Sequence, residues 1–471
     1  MKNENTIKLY FIWLLLLMFT SIGCTTKNSN TVADEWSQVD IILKRIIPPS
    51  FPDKDFHITS YGAKGDGITD CTEAFKIAIE DCAKNGGGKV VVPQGTFLTG
   101  AIHLKSNVNI HITEKAIVKF SDDKNKYLPL VFSRWEGVEC MNYSSFIYAY
   151  GQENIAITGK GLLDGQGSNE NWWSWKGNKE DGWSEGMPNQ KDGRKKLFEM
   201  AENNIPPEQR MMGDGYYLRP NFVHFYKSKN ILIEGVTFKN SPMWFINPVL
   251  CENVSVIGVT VEGLGPNNDG CNPESSKYVL IKDSFFNTGD DCIAIKSGRN
   301  NDGRRINIPS ENIVIQNCKM KEGHGGVVIG SEISGGVKNV FAENCLMNSP
   351  NLDRAIRIKT NSVRGGTIEN LFVRNIEVGE VKEAVLTINF FYEEGDGGEF
   401  TPSVKNVVLE NVTSNKSSYA LLIRAYDRSP VTGLKILNCK FRNVKDGNII
   451  ENVKSPIIEA VQINDKELIL K

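Results

Sequence analysis

Short runs in which aliphatic and polar residues alternate recur along the chain, and an asparagine opens each run. Alternation with a period of two is typical of β-strands, and asparagine suits the turn that precedes a strand. From Asn312 onward the runs begin 27, 31 and 36 residues apart, which is too irregular for propeller blades of constant size. The runs occupy residues 154–159, 230–236, 253–259, 312–318, 339–345, 370–376 and 406–412.

These repeats predict a solenoid. One strand every ~20–50 residues, with no amphipathic helix between strands, is typical of coils that each bury an aliphatic face against the next coil. A TIM barrel needs a helix after every strand, and the pattern shows none. A β-sandwich with long loops is the alternative, but the asparagine-led unit recurs in register. We therefore predict an all-β fold, a right-handed single-stranded parallel β-helix.

One stretch near the start of this fold has a helical pattern. Asp70 can cap the helix, and Gly86-Gly87-Gly88 can end it. A helix at this position is expected to cover the open end of the solenoid core. Its predicted apolar face consists of Ala74, Ile77, Ala78 and Cys82.

The N-terminal residues have the pattern of an export signal. Lys2 and Lys8 precede the apolar run at 10–19, which small residues and Cys24 follow. We expect residues 1–24 to be a lipoprotein-type signal with Cys24 lipidated, residues 25–50 to be a tether and lead-in, and 51–471 to be the β-helix. The predicted location is the cell envelope, facing the periplasm or the cell surface, with membrane attachment only through the lipid. An ordinary secretory signal is the alternative.

Composition narrows the class of protein. With 40% hydrophobic residues, 23% charged residues and a net charge of −2, the chain is typical of a soluble globular protein and not of one that binds nucleic acid. Apart from Cys24 nine cysteines remain, and three follow an asparagine at equivalent repeat positions, which favours stacked interior thiols over disulfides. Without CxxC or HExxH spacing we expect no metal and no cofactor, and we expect a monomer.

Polar clusters interrupt four consecutive coils. They are Asn267-Asn268-Asp269-Gly270, Gly289-Asp290-Asp291, Gly323-His324-Gly325 and Arg357-Ile358-Lys359, and they follow one another at about 21, 34 and 33 residues. Residues one coil apart stack in a solenoid, so these side chains should converge on one patch.

Arg357 and Lys359 alternate with isoleucines, so both cations should point outward. A bound anion explains such a pair, although a solvated basic face is the alternative. Regular alternation would bury Asp291 if Asp290 faced outward. We expect a kink at Gly289 to bring both aspartates to the surface, and an internal polar network around Asp291 is the other solution.

Grouped carboxylates are typical of glycoside hydrolysis. One carboxyl must be protonated to donate to the leaving oxygen, and another must be ionised to activate water. Crowding three carboxylates raises the pKa of at least one of them, which supplies the acid. A calcium site or a ladder of turn residues is the structural alternative.

In these four motifs and their order the sequence resembles glycoside hydrolase family 28, the polygalacturonases. The resemblance implies that Asp290 is the general acid and that Asp269 and Asp291 activate water, with His324 holding the acid. It also implies that Arg357, Lys359, Tyr392 and Asn267 bind the substrate, a pectic polysaccharide or oligogalacturonide. In the first motif Asn268 replaces a threonine, and Asn272 replaces an aspartate a few residues later.

Residues 165–219 break the strand pattern and contain four tryptophans, so we read them as an insertion. The insertion could close one end of the cleft and enforce exo action, it could stack sugars, or it could be a packed loop. We expect an inverting, exo-acting galacturonan hydrolase. The alternatives are a galacturonosidase acting on rhamnogalacturonan-type pectin, a pectate lyase, and a non-catalytic glycan-binding β-helix.

Overall fold

The computed structural model describes residues 35–469, so the predicted signal 1–24 and the lipidation site Cys24 lie outside the described residues. The described residues from 42 onward form one compact unit, and the described residues before them belong to a second unit. No helix within the described part of the chain is long and apolar enough to cross a membrane.

The predicted right-handed parallel β-helix is confirmed. Each coil contributes a strand to one or more of three parallel sheets, and neighbouring strands of a sheet come from successive coils. The first sheet contains Asp55–His57, Gly88–Val92, Val108–Ile112, Glu153–Gly159, Lys229–Glu234, Glu252–Ile257, Lys277–Lys282, Ser310–Gln316, Val337–Glu343, Thr367–Arg374, Ser403–Glu410, Val431–Leu437, Val453–Lys454 and Ile457–Glu459.

The second and third sheets share the bent strand Thr413–Arg424. The second sheet also contains Asp66–Asp70, Gly95–Thr99, Ala116–Phe120, Leu162–Asp164, Thr237–Lys239, Thr260–Gly263, Phe285–Thr288, Lys319–Met320, Leu346–Met347, Glu377–Glu380, Lys440–Phe441, Gln462–Ile463 and Lys466–Glu467. The third sheet also contains Ile102–His103, Ile147–Tyr150, Val223–Tyr226, Ile246–Val249, Ile293–Ile295, Val327–Ile329, Arg354–Lys359, Ala384–Asn389 and Val444–Glu451.

The core is a tube of stacked aliphatic side chains, as the alternation predicts. In the first sheet one inward column runs without a break from coil to coil, and all of its members are buried. Burial of this kind contributes roughly 25 cal/mol per Å² of apolar surface, so the stack is the main source of stability. The column consists of Ile155, Ile231, Val254, Val279, Ile313, Val340, Leu371, Val407 and Leu434.

The asparagines that open the repeats form a ladder. Asn312, Asn339 and Asn370 have φ values of 57°, 58° and 63°, in the left-handed region that asparagine tolerates better than most residues. The Asn339 Nδ2 donates to Asn312 Oδ1 at 3.1 Å, and the Asn370 Nδ2 donates to Asn339 Oδ1 at 2.8 Å. The repeated asparagine therefore fixes the turn and also links each coil to the next.

The cysteines also stack as predicted. Nine cysteines between Cys71 and Cys439 are free and buried in the structure. Cys318 and Cys345 occupy equivalent positions on successive coils, and a hydrogen bond between the two thiols raises the pKa of Cys318. These thiols fill the core rather than bridge it.

The predicted capping helix spans Thr72–Lys84. Cys71 is the N-cap residue, and Asp70 instead accepts a hydrogen bond from the Thr72 amide at 2.9 Å. The prediction of the apolar face is wrong at Ile77, which is 42% exposed. The buried face consists of Ala74, Phe75, Ala78, Ile79 and Cys82.

Three further α-helices were not expected from the pattern: Ser37–Arg45 inside the predicted tether, Lys191–Glu202 and Asn300–Ile306. Each is short, so packing rather than a long amphipathic pattern stabilises it. The chain also leaves the coils to form the antiparallel pair Val131–Trp135 and Val138–Asn142. Single turns of 3₁₀-helix occur at Ile58–Tyr61, Lys124–Tyr127, Trp173–Lys176, Lys179–Asp181 and Pro207–Gln209.

Candidate active site

The four polar clusters meet on the third sheet. Backbone hydrogen bonds join successive coils there: the Gly270 amide donates to the Asp291 carbonyl at 3.0 Å, and the His324 amide donates to the Asp290 carbonyl at 3.1 Å. The side chains open into one cleft with a volume of about 450 Å³. All eight residues predicted for the site line this cleft: Asn267, Asp269, Asp290, Asp291, His324, Arg357, Lys359 and Tyr392.

The turn at Gly289 resolves the conflict between Asp290 and Asp291. One strand ends at Thr288 and the next begins at Ile293, so both aspartates lie between strands and both reach the cleft, as the predicted kink requires. A Cβ on Gly289 would lie 2.2 Å from the Gly265 carbonyl oxygen. Glycine is needed here because two backbones approach closely.

The pair Arg357 and Lys359 lies on the cleft floor. Ile356 and Ile358 point into the core, as the alternation predicts. The Lys359 Nζ is 2.6 Å from Asp291 Oδ2, and the Arg357 Nη1 is 3.5 Å from Asp291 Oδ1. Asp291 is 1% exposed and faces both cations, so the internal polar network, which was the alternative solution, describes this aspartate, and the expected bound anion stays a prediction.

Tyr392 completes this side of the cleft. Its ring centre lies 5.4 Å from the Arg357 guanidinium carbon and 5.3 Å from the Lys359 Nζ. Cations over an aromatic face are attracted by the ring quadrupole, so Tyr392 orients both side chains.

Asp290 and His324 form a hydrogen-bonded pair. The His324 Nδ1 is 2.9 Å from Asp290 Oδ1. Burial acts to raise the pKa of Asp290, but the hydrogen bond and charge of His324 outweigh it, so the pKa is lowered overall. The same hydrogen bond raises the pKa of His324. Asp290 is also the most open of the three aspartates, with 17% of its side chain exposed.

Among the three aspartates of the cleft, Asp269 is the one whose pKa is raised. Burial, followed by the negative charge of Asp290, raises the pKa of Asp269 well above its ordinary value, although Lys296 at 3.5 Å opposes this. The Asn272 Nδ2 donates to Asp269 Oδ2 at 3.0 Å, so this buried amide holds the carboxyl group and does not face the cleft. The charge of Asp290 thus acts in the direction that the crowding argument predicts, but burial is the larger cause of the raised pKa of Asp269.

Sequence reasoning missed Lys296, Glu332 and Trp244, which also line the cleft. The Lys296 Nζ lies 3.0 Å from Glu332 Oε2 and 4.6 Å from the centre of the Trp244 ring. Lys296 follows Ile293 and Ile295 in the same alternating pattern that predicted Lys359 for the site. The sequence therefore contained a signal for Lys296. Glu332 follows the strand Val327–Ile329 and has no comparable pattern.

Three further residues that line the cleft come from segments that leave the coils, and we call them the end wall: Glu136, Lys176 and Arg194. Glu136 lies at the turn between Val131–Trp135 and Val138–Asn142, and the Arg194 Nε donates to its Oε2 at 2.7 Å. Lys176 and Arg194 belong to the insertion. The insertion therefore contributes charged side chains to the cleft.

The tryptophans of the insertion do not line the cleft. Trp172 is buried in the core, the Trp173 Nε1 donates to the Ser241 carbonyl at 2.9 Å, and the Trp175 ring packs against Tyr143 with 6.3 Å between the ring centres. These contacts attach the insertion to the β-helix, which confirms the packed-loop interpretation for the aromatic rings.

A family model described as glycosyl hydrolases family 28 matches residues 212–460, which is more than half of the chain. The chain belongs to glycoside hydrolase family 28. A second model, rhamnogalacturonase A/epimerase, pectate lyase-like, matches residues 56–113. All eight predicted site residues of this family 28 enzyme lie inside 212–460, whereas the three end-wall residues precede it.

Relatives of this family 28 chain include a probable polygalacturonase of Vitis vinifera, 28% identical, over 81% of this chain and 73% of the relative. The exo-poly-alpha-D-galacturonosidase of Dickeya chrysanthemi is 28% identical over 83% of this chain and 66% of the relative. The crystal structure of a hyperthermoactive exopolygalacturonase from Thermotoga maritima is 46% identical, with a TM-score of 0.89, covering 92% of this chain and 96% of that one.

Proposed function

We propose that this enzyme hydrolyses α-1,4-galacturonosyl linkages of pectin by a single displacement with inversion, removing terminal residues. The observation that carries the proposal is one cleft in which three carboxyl groups, two of them with pKa values shifted in opposite directions, face a pair of cations suited to a uronate. The names of the similar proteins, which include exo-acting galacturonan hydrolases, support the same substrate.

Asp290 donates the proton to the leaving oxygen, and Asp269 and Asp291 orient and activate the attacking water. Carboxyl groups this close titrate together, and in the free site burial and the charge of Asp290 raise the pKa of Asp269, whereas His324 lowers the pKa of Asp290 against the effect of burial. Asp290 is the carboxyl that a bound sugar covers most, and loss of water raises a carboxyl pKa. Substrate binding therefore moves the acid function to Asp290, and His324 holds that carboxyl in place.

Exo action follows from the shape of the site. In this proposal the end wall closes one side, while beyond His324 and Asp353 the cleft continues into what we call the exit groove, lined by Leu264, Gly289, Glu322, Asn351 and Lys382. We infer that the substrate chain leaves the site through this groove, with which the cleft shares His324 and Asp353. The terminal sugar consequently lies against the end wall, and the rest of the chain lies in the groove.

Product analysis on polygalacturonate and on rhamnogalacturonan fragments tests this function. Galacturonate alone should appear at early times from polygalacturonate, and Asp290→Asn should lower kcat by at least ~10²–10⁴-fold, with substrate binding retained. A ladder of oligomers would contradict exo action, and release from rhamnogalacturonan alone would favour the galacturonosidase alternative. An ultraviolet-absorbing, unsaturated product would indicate a lyase, and unchanged turnover in Asp290→Asn would remove the acid assignment.

We also propose that residues 1–24 are a lipoprotein-type signal, that Cys24 carries the lipid, and that the protein is a monomer exported to the cell envelope. The charged start, the short apolar run and the position of Cys24 support this proposal. Metabolic labelling with radioactive palmitate should mark the wild-type protein and not Cys24→Ala. Equal labelling of the two proteins, or none, would contradict the lipid anchor.

A further inference from the structure

Lys176 differs from the other cations of the cleft. It ends the 3₁₀-helix Trp173–Lys176 of the insertion, and its Nζ donates to Asn267 Oδ1 at 2.6 Å. Within residues 35–469 it forms no ion pair with a carboxylate, although it is partly buried. The other lysines and arginines of the cleft do: Arg194 with Glu136, Lys296 with Glu332 and Asp269, Arg354 with Glu383, and Arg357 and Lys359 with Asp291.

Asn267 connects Lys176 to the catalytic aspartates. The Asn267 Oδ1 also accepts from Arg219 Nη2 at 2.8 Å, and the Asn267 Nδ2 faces Asp290 Oδ2 at 3.4 Å. Arg219 is completely buried and does not line the cleft, so its charge is not available to a ligand. Lys176 thus presents an ammonium group one side chain away from the proposed acid.

The position of the acid sets the direction of the substrate. His324 lines both the cleft and the exit groove, and it holds Asp290. A general acid protonates the leaving oxygen, so the leaving sugar lies on the groove side. The sugar whose anomeric carbon is attacked, which is the non-reducing terminal one, then lies on the side of Lys176.

We propose that Lys176 binds the carboxylate of the non-reducing terminal galacturonate, and that Arg357 and Lys359 bind the carboxylate of the next sugar. This inference rests on the proposed function and narrows its substrate. Free carboxylates on both sides of the bond are required, which favours homogalacturonan ends over galacturonate linked to a neutral sugar. A partly buried cation without a carboxylate partner is stabilised when a uronate supplies one.

The test combines substrate and enzyme changes. The substrates are digalacturonate and its two mono-methyl esters, with the ester on the non-reducing or on the reducing residue. The enzymes are the wild type, Lys176→Gln and Lys179→Met. Lys176→Gln keeps a donor for Asn267 and removes the charge, and Lys179 is an exposed lysine of the same insertion that does not line the cleft.

Esterification of the non-reducing residue should lower the wild-type kcat/KM about 10- to 100-fold, as expected for loss of a charged hydrogen bond. On digalacturonate the kcat/KM of Lys176→Gln should be lower than that of the wild type by a similar factor. Esterification of the non-reducing residue should lower the kcat/KM of this variant little further, because groups that interact give non-additive effects. The ester on the reducing residue should affect both enzymes equally, and Lys179→Met should behave as wild type.

Additive losses for Lys176→Gln and the non-reducing ester would overturn the inference, as would coupling to the reducing ester instead. These outcomes leave hydrolysis by the wild type intact. Failure of the proposed function looks different, because the wild type would then release no galacturonate from digalacturonate, and both proposals would fall. Lys176→Arg provides a second variant, in which the coupling should reappear if the charge is what matters.

Discussion

The three aspartates of the cleft have different environments although two of them are neighbours in sequence. Asp291 is sealed against Lys359, Asp290 is held by His324, and Asp269 is buried beside other carboxylates. The sequence indicated that these groups converge, because coil spacing places them on one face. It did not indicate in which direction each pKa is shifted, because that depends on burial and on neighbours such as Lys296 and His324.

The Asp290–His324 pair should make stability depend on pH. The pKa of His324 is raised, so its contribution is complete below the ordinary value of ~6.5 and is lost as the pH rises through the raised value. The lowered pKa of Asp290 means that the contribution of this carboxylate is present above ~3.9 and is lost as the pH falls through the lowered value. His324→Gln should therefore lower the free energy of unfolding most between about pH 4 and 6.5.

His324→Gln should lower the free energy of unfolding by about 1 kcal/mol or less, because more than half of the His324 side chain is exposed and solvent screens its pairing with Asp290. Urea unfolding of the two proteins at several pH values measures it. A difference that grows above pH ~8 would contradict the pairing. His103→Gln is a suitable control, since burial lowers the pKa of that histidine and it lies outside the cleft.

At the scale of the elements, the strands of the β-helix could be predicted from the sequence, whereas the segments that leave the coils could not. A strand of the β-helix has a local signature, an asparagine followed by alternating aliphatic residues, and each copy makes the same contacts with the next. The pair Val131–Trp135 and Val138–Asn142 and the helix Lys191–Glu202 have no such repeat. Their positions depend on docking against distant residues, for example Arg194 on Glu136, so the end wall could not be predicted as a unit.

The asparagine ladder should contribute measurably to stability. Asn339→Ala removes two side-chain hydrogen bonds and places alanine at φ 58°, so it should lower the free energy of unfolding by about 2–4 kcal/mol. Asn339→Gly removes the same hydrogen bonds and tolerates the backbone, so it should cost about 1–2 kcal/mol less than alanine does. Denaturation midpoints compare the variants. Equal effects of alanine and glycine would show that the backbone conformation is unimportant.

At the scale of the whole molecule, the catalytic groups and the groups that close the cleft come from different parts of the chain. The predicted site residues lie in the segment that matches the family model, on the regular coils of the third sheet. The end wall comes from excursions before that segment. Activity and exo action can therefore change independently, because alterations of the end wall leave the aspartates on their coils.

The stereochemistry of the first product tests the central claim most directly. If one cleft aspartate protonates the leaving oxygen while the others direct water to the opposite face, ¹H NMR of the monomer released from the non-reducing end of polygalacturonate should show the β-anomer of galacturonate first. The α-anomer should then appear only at the slower rate of mutarotation. Initial release of the α-anomer, or of an unsaturated sugar, would contradict the account.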